Sequence, residues 1–303
     1  MSLTRREFIA TTGVGLFSSY LSTFATPMLK DQNQSGYELM IFATDWGFKE
    51  SVDEFCRRIK EAGYNGAEVW YPAEEKKRAE MLAAFKKYNL KFGFLVGGSD
   101  AEFKIHFDQF ISSLTKAVNL KPEYINCHSG RDFYSASENQ AFIQVSLQLA
   151  KSFAIPIYHE THRSRILYAA PVAKEFIKTN DDLRLTLDIS HWCNVHESLL
   201  ADQKETVALA LERTDHIHAR IGHAQGPQVS DPRAPEWKAA VDAHFAWWDK
   251  VVERKKKEGK RISFLTEFGP PDYMPTMPNT RKPLADQWEL NIHMLNTLRK
   301  RYS

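Results

Sequence analysis

Leu185-Thr186-Leu187-Asp188-Ile189-Ser190-His191-Trp192 is an apolar, β-branched run that ends in a carboxylate, a small residue, an imidazole and an indole. A strand buried on both faces is apolar throughout, so polar groups appear only where it leaves the core. The stretch reads as scaffold followed by chemistry. Taken alone, it reads more readily as a turn or helix cap, because Asp followed by Ser is common at such places. The deciding feature is recurrence: similar strand ends lie on both sides of it, each with a metal-type ligand.

Before it come apolar runs at Tyr37–Phe42, Ala67–Trp70, Phe92–Val96, Tyr124–His128 and Pro156–Glu160; after it come His216–Ile221 and Ile262–Glu267. Helical patterns separate them. Val52, Phe55, Cys56 and Ile59 recur at helical spacing up to Gly63, and Phe103, Phe107, Phe110, Ile111 and Leu114 make one face. Further helices are expected over Glu74–Tyr88, Glu138–Phe153, Pro171–Lys178, Lys204–Arg213, Trp237–Glu258 and a last stretch to Arg299. Strict strand–helix alternation argues a parallel sheet, and eight pairs is the number that closes a (β/α)8 TIM barrel. No composition break interrupts residues 37–303, so one domain is expected there. An open doubly wound sheet is the rival, but it would want a Gly-rich phosphate turn after an early strand, and none is present.

A barrel carries its chemistry at the C-terminal ends of its strands. Glu160 ends the fifth strand, Asp188 lies in the sixth, His218 in the seventh, and Glu267 ends the eighth. Each alone reads as structural, for example as an ion pair with Arg220. Together at one height, their repulsion and desolvation demand a cation among them. Three carboxylates and one imidazole suit Mn²⁺, Co²⁺, Mg²⁺ or Zn²⁺, and the absence of thiolate argues against a soft-metal site. At the same rim, His128 and Glu68 are candidate substrate contacts, as are Arg220 and His223. Trp46, Trp70, Tyr71, Phe133 and Trp192 would form an aromatic wall. The Pro-rich segment 269–283, with Tyr273, reads as a stiff lid or packing arm.

The 303 residues carry 40 Lys and Arg against 38 Asp and Glu, a formal charge of +2, with basic residues scattered. No footprint for nucleic acid is present. Cys56, Cys127 and Cys193 are far apart and read as buried thiols. No Gly-rich nest or arginine cluster speaks for a phosphorylated substrate. Residues 1–27 differ from the rest. Thr4-Arg5-Arg6-Glu7-Phe8-Ile9 precedes a weakly apolar run that is too short and polar to span a membrane. It resembles a bacterial twin-arginine export signal. Residues 28–36 then form a polar linker, and a periplasmic location without stable membrane insertion is expected.

The segment Ile59-Lys60-Glu61-Ala62-Gly63-Tyr64-Asn65-Gly66-Ala67-Glu68 and the strand ends Glu160, Asp188-x-x-His191, His216-x-His218 and Glu267 resemble the sugar phosphate isomerase/epimerase, or xylose isomerase-like, barrel superfamily. The resemblance runs from about Tyr37 to the C-terminus and is specific for fold and metal site rather than substrate. It implies one divalent ion held by Glu160, Asp188, His218 and Glu267. It also implies that Glu160 and Glu267 act as acid–base groups on either side of a bound sugar, and that His191 hydrogen-bonds a substrate oxygen. The implied activity is a sugar isomerase or epimerase working by α-proton abstraction and a metal-stabilised enediolate, on a small carbohydrate or polyol. A sugar or inosose dehydratase shares that first step and is the alternative. An endonuclease-like phosphodiesterase fits less well, because the third strand runs into Val96-Gly97-Gly98 without His and the seventh-strand loop has Arg233 where a histidine would be wanted. A non-catalytic exported sugar-binding barrel is a further rival, and an oligomer is compatible with all of these.

Overall fold

Each of the eight apolar runs becomes a strand in the computed structural model, which describes residues 36–303. The export-signal segment 1–27 and all but the last residue of the linker lie outside the described residues. The strands are β1 Glu38–Thr44, β2 Gly66–Trp70, β3 Lys91–Gly97, β4 Ile125–His128, β5 Ile157–Glu160, β6 Leu185–Leu187, β7 Thr214–Ala219 and β8 Arg261–Thr266. They pair in parallel and in chain order, and β8 closes on β1. This is the expected (β/α)8 TIM barrel. The helices that return each strand to the bottom are α1 Val52–Ala62, α2 Glu75–Lys87, α3 Phe103–Val118, α4 Ala136–Phe153, α5 Ala170–Thr179, α7 Lys204–Arg213, α8 Lys238–Glu258 and α9 Gln287–Tyr302. A short α6, Ile189–Val195, is inserted after β6.

Local chemistry sets the ends. The Ser51 hydroxyl accepts from the Glu54 amide to start α1, and Gly63 takes a left-handed φ of 88° to stop it. Ser135 and Glu138 form a reciprocal capping box on α4. Phe94, Phe110, Phe142, Leu114 and Ile143 are wholly buried between strands and helices, each contributing about 1.5–3 kcal/mol relative to exposure. A smaller cluster of Met40, Phe42, Tyr124 and Leu265 fills the lower barrel interior. Gly93 makes room for it: a Cβ there would stand 2.6 Å from Cζ of Tyr124.

Most strand ends shift by one or two residues from the sequence reading, and two differences bear on the site. The sixth strand stops at Leu187 instead of running to Trp192, because the Asp188 side chain accepts from the Ser190 amide and caps α6. The cap reading of Asp188 therefore applies. The seventh strand begins at Thr214 and ends at Ala219, which leaves Arg220 and Ile221 beyond it.

Candidate active site and metal centre

Alternation along the strands decides what reaches the barrel mouth. On β7, His216 and His218 are two apart and both point inward, fully buried. Glu68 on β2, Asn126 on β4 and Glu160 on β5 join them from across the barrel. Glu267 follows β8 directly, and Asp188 follows β6 as the cap of α6.

The four residues expected to share an ion come together. His218 Nδ1 lies 3.0 Å from Glu267 Oε2 and 3.7 Å from Glu160 Oε1. Ligand atoms of Asp188, His218 and Glu267 lie within 4.8 Å of one another, as do those of Glu160, Asp188 and His191. The Glu160 carboxylate is divided in its duties: Oε2 accepts from Asn126 Nδ2 at 2.7 Å and pairs with His128 Nε2 at 2.8 Å, and Oε1 is left facing His218.

Arg220 is buried beside them. Its Nη2 pairs with Asp188 Oδ2, and its Nη1 lies 3.5 Å from Glu267 Oε2. His191 Nε2 sits 3.0 Å from Arg220 Nη2 and 3.5 Å from Asp188. The Tyr273 ring covers the guanidinium, 4.6 Å from its carbon, and meets Trp46 edge-on at 4.9 Å. The segment read as a lid does lie against the mouth.

The donor set suits a divalent cation. His218 Nδ1 and Glu267 Oε2 are buried and face each other at 3.0 Å without a well-formed hydrogen bond to any other group, which leaves both free to turn to a ligand. The ligand atoms are oxygen and nitrogen, with no thiolate. Four carboxylates, of Glu68, Glu160, Asp188 and Glu267, face one guanidinium and the His218 ring, a local excess of negative charge that a divalent ion would balance.

The electrostatics agree. Burial works against a charged His218, yet Glu267, Glu160 and Glu68 outweigh it and hold its pKa well above the ordinary value. Burial likewise opposes Glu160, but His128 and His218 keep it ionised, well below its usual range. Burial pushes Asp188 up to about 6, helped by Glu267 and Glu160 and opposed by Arg220. Burial holds His162 and His191 well below the ordinary value, and hence neutral; His128 adds to the effect on His162, and His162 and Arg220 add to that on His191.

Of the other expected contacts, Trp46, Glu68, His128 and Arg220 line a mouth cavity of about 180 Å³, with Trp70, His162, Glu267 and Tyr273. Trp192 does not. It is wholly buried in the core, and its indole donates to the Leu167 carbonyl at 2.8 Å. The chain has already turned into α6, so strand alternation no longer governs where Trp192 points; this corrects its placement at the rim. His223 is not among the lining residues; its ring is tilted against that of Trp237, 4.7 Å between centroids. Sequence reasoning missed His162, whose ring stands 4.5 Å from His128 and 3.9 Å from His191. The available signal was a second imidazole two residues past a ligand-bearing strand end.

The profile of the xylose isomerase-like TIM barrel family matches residues 56–244. The chain belongs to that family. No curated protein matches it in sequence. Among solved structures, the 3-keto-D-glucoside 4-epimerase of E. coli in its apo form superposes with a TM-score of 0.59 at 15% identity, covering 87% of this chain and 100% of that one. A probable 3-DHS dehydratase of petrobactin synthesis from Bacillus anthracis gives 0.55 at 16%, over 87% and 100%. A family 2 AP endonuclease from Brucella melitensis gives 0.52 at 16%, over 77% and 93%. At such identities the likeness is one of fold. Among the described residues, no helix is long and apolar enough to cross a membrane.

Proposed function

We propose that the protein is a divalent-metal-dependent isomerase or epimerase of a small keto-sugar, working by α-proton transfer. The observation that carries this is the convergence of Glu160, Asp188, His218 and Glu267 at the barrel mouth, with His218 Nδ1 and Glu267 Oε2 buried 3.0 Å apart beside Arg220. Glu160, Asp188, His218 and Glu267 would hold one divalent ion. Bound there, it supplies Lewis-acid polarisation of a substrate carbonyl, which acidifies the neighbouring C–H.

The chain's own groups do the rest. Glu160 takes the α-proton; its Oε2 is pinned by Asn126 and His128, so the carboxylate cannot swing away. Glu267, arriving from β8, returns a proton to the other face. Arg220 neutralises Asp188, and His191 offers a hydrogen bond to a substrate oxygen. Tyr273, Trp46 and Trp70 close the sides and exclude water. The cavity is smaller than the roughly 300–1,000 Å³ of drug-sized sites, which suits a single small polyol and not a nucleic-acid duplex.

A dehydratase is the second reading. His128 Nε2, 2.8 Å from Glu160 Oε2, is placed to give a proton to a leaving β-hydroxyl. The test is incubation with Mn²⁺ and a panel of keto-sugars in D₂O. Solvent deuterium at the α-carbon with an epimerised or isomerised product supports the first reading, and deuterium with an unsaturated product the second. Glu160→Gln and Glu267→Gln should each slow exchange by about 10²–10⁴-fold. Binding without exchange across the whole panel overturns both readings. We further propose export through the twin-arginine route on the strength of Arg5 and Arg6; replacing both by Lys should shift the protein from the periplasmic to the cytoplasmic fraction.

A further inference from the structure

The mouth does not end at the ion's expected ligands. Directly beneath His218, a line of polar side chains continues down the barrel interior. His218 turns Nδ1 towards Glu267 and Glu160, and its other nitrogen, Nε2, lies 3.1 Å from Glu68 Oε1. The second oxygen of Glu68 lies 3.1 Å from His216 Nε2, and His216 Nδ1 pairs with the Ser263 hydroxyl at 2.8 Å. Asn126 braces the same carboxylate, its amide 3.3 Å from Glu68 Oε1 and 2.7 Å from Glu160 Oε2. Glu68 is only 2% exposed, and His216 and His218 are 0% and 1% exposed, so water does not compete for these bonds.

We infer that Glu68 is a positioning residue: it fixes the ring orientation and tautomer of His218, so that the lone pair on Nδ1 faces the ion. A neutral imidazole has one N–H and one lone pair, and the group that accepts the N–H decides which nitrogen is free. Two acceptors compete here. If Glu267, 3.0 Å from Nδ1, took the N–H, His218 could not be a ligand. On this inference Glu68, 3.1 Å from Nε2, takes it there instead; the Asn126 amide, 3.2 Å from the same nitrogen, directs its two hydrogens to Glu160 and Glu68. A carboxylate is the right group for this place, because it carries no hydrogen and can accept from both His216 and His218. His216, held by Ser263, in turn fixes the roll of the Glu68 carboxylate. Carboxylate–histidine–metal series of this kind set ligand orientation, and their loss costs about 10–100-fold in metal affinity. The inference rests on the proposed role of His218 as a ligand.

The experiment is Mn²⁺ titration of the full chain by calorimetry, for wild type, Glu68→Gln, Glu68→Ala and Ser263→Ala, with circular dichroism confirming the fold. Glu68→Gln keeps the shape and exchanges one accepting oxygen for a donating NH2, so it guards against simple unfolding. Wild type should take up one Mn²⁺. Both Glu68 variants should bind it about 10–100-fold more weakly, and Ser263→Ala by less, being one link further away. In ¹⁵N-histidine NMR of the Zn²⁺-loaded wild type, one ring should show a protonated Nε2 beside a ligated Nδ1; that signature should be lost in Glu68→Ala. Folded Glu68 variants that bind Mn²⁺ as wild type does, with the NMR signature intact, overturn the positioning role and leave the metal reading standing. Wild type that takes up neither ion overturns the metal reading, and the role of Glu68 falls with it.

Discussion

His218 Nδ1 and Glu267 Oε2 stand 3.0 Å apart in the buried mouth of the barrel, and neither has a hydrogen-bond partner besides the other. With Glu160 and Asp188 alongside, this is a place where negative charge is concentrated. An ion that binds only the folded chain stabilises it by mass action, about 2.7 kcal/mol at a hundred times its dissociation constant. Mn²⁺ should therefore raise the melting temperature of chelator-treated protein in a dose-dependent way. Asp188→Asn, which withdraws a ligand and a charge, should blunt the rise. A melting temperature indifferent to Mn²⁺, Co²⁺, Mg²⁺ and Zn²⁺ would sink the metal centre.

Arg220 is the fixed cation of the site, paired with Asp188 and close to Glu267. Removing one partner of a buried pair leaves an uncompensated charge and typically costs about 3–5 kcal/mol. Arg220→Ala should lose about that much in urea denaturation with chelator present. The loss should shrink when Mn²⁺ is added, since the ion also neutralises Asp188. A loss below about 1 kcal/mol under both conditions would mean that Arg220 does not carry this charge balance.

Asp45 follows β1, and burial raises its carboxyl to about 6 against the pull of a backbone hydrogen bond. A carboxyl raised in the fold binds its proton more tightly when folded than when unfolded. Its contribution to stability is therefore present at low pH and lost as pH rises from about 4 through 6. Asp45→Asn should stabilise the protein at pH 7–8, by no more than about 3 kcal/mol, and should do little at pH 4. Melting curves across that range check it; equal effects at both ends would refute the assignment.

Trp192 is a core residue whose indole N–H satisfies the Leu167 carbonyl. Trp192→Phe should cost about 1–3 kcal/mol by leaving that buried carbonyl without its partner. KM for the sugar identified in the exchange assay should not change. A raised KM at unchanged stability would return Trp192 to the substrate wall.

The strand ends show how far the sequence could be read. Glu160 and Glu267 each terminate an apolar run, and a period of two assigned them to the barrel interior without coordinates. His218 followed by the same rule, one strand earlier. Trp192 failed it because Asp188 caps a helix, and beyond that residue the period changes from two to 3.6. The roles of Arg220 and Glu68 were open for a different reason. An arginine past a strand and a glutamate inside one can each meet many partners, and the partners here, Asp188 and the His216–His218 pair, lie 32 and about 150 residues away in the chain.

The order of apolar runs and helices was sufficient by itself to determine an eight-stranded barrel, and alternation brought a carboxylate or imidazole from four successive strand ends to one rim. Periodicity and alternation are local properties, and they are written directly in the chain. Only the tertiary structure decided which side chains share a proton or a charge: Arg220 with Asp188, Glu68 with His218, Trp192 with the core. Those pairings depend on distances of about 3 Å between residues brought together by barrel closure, and no local pattern carries that information.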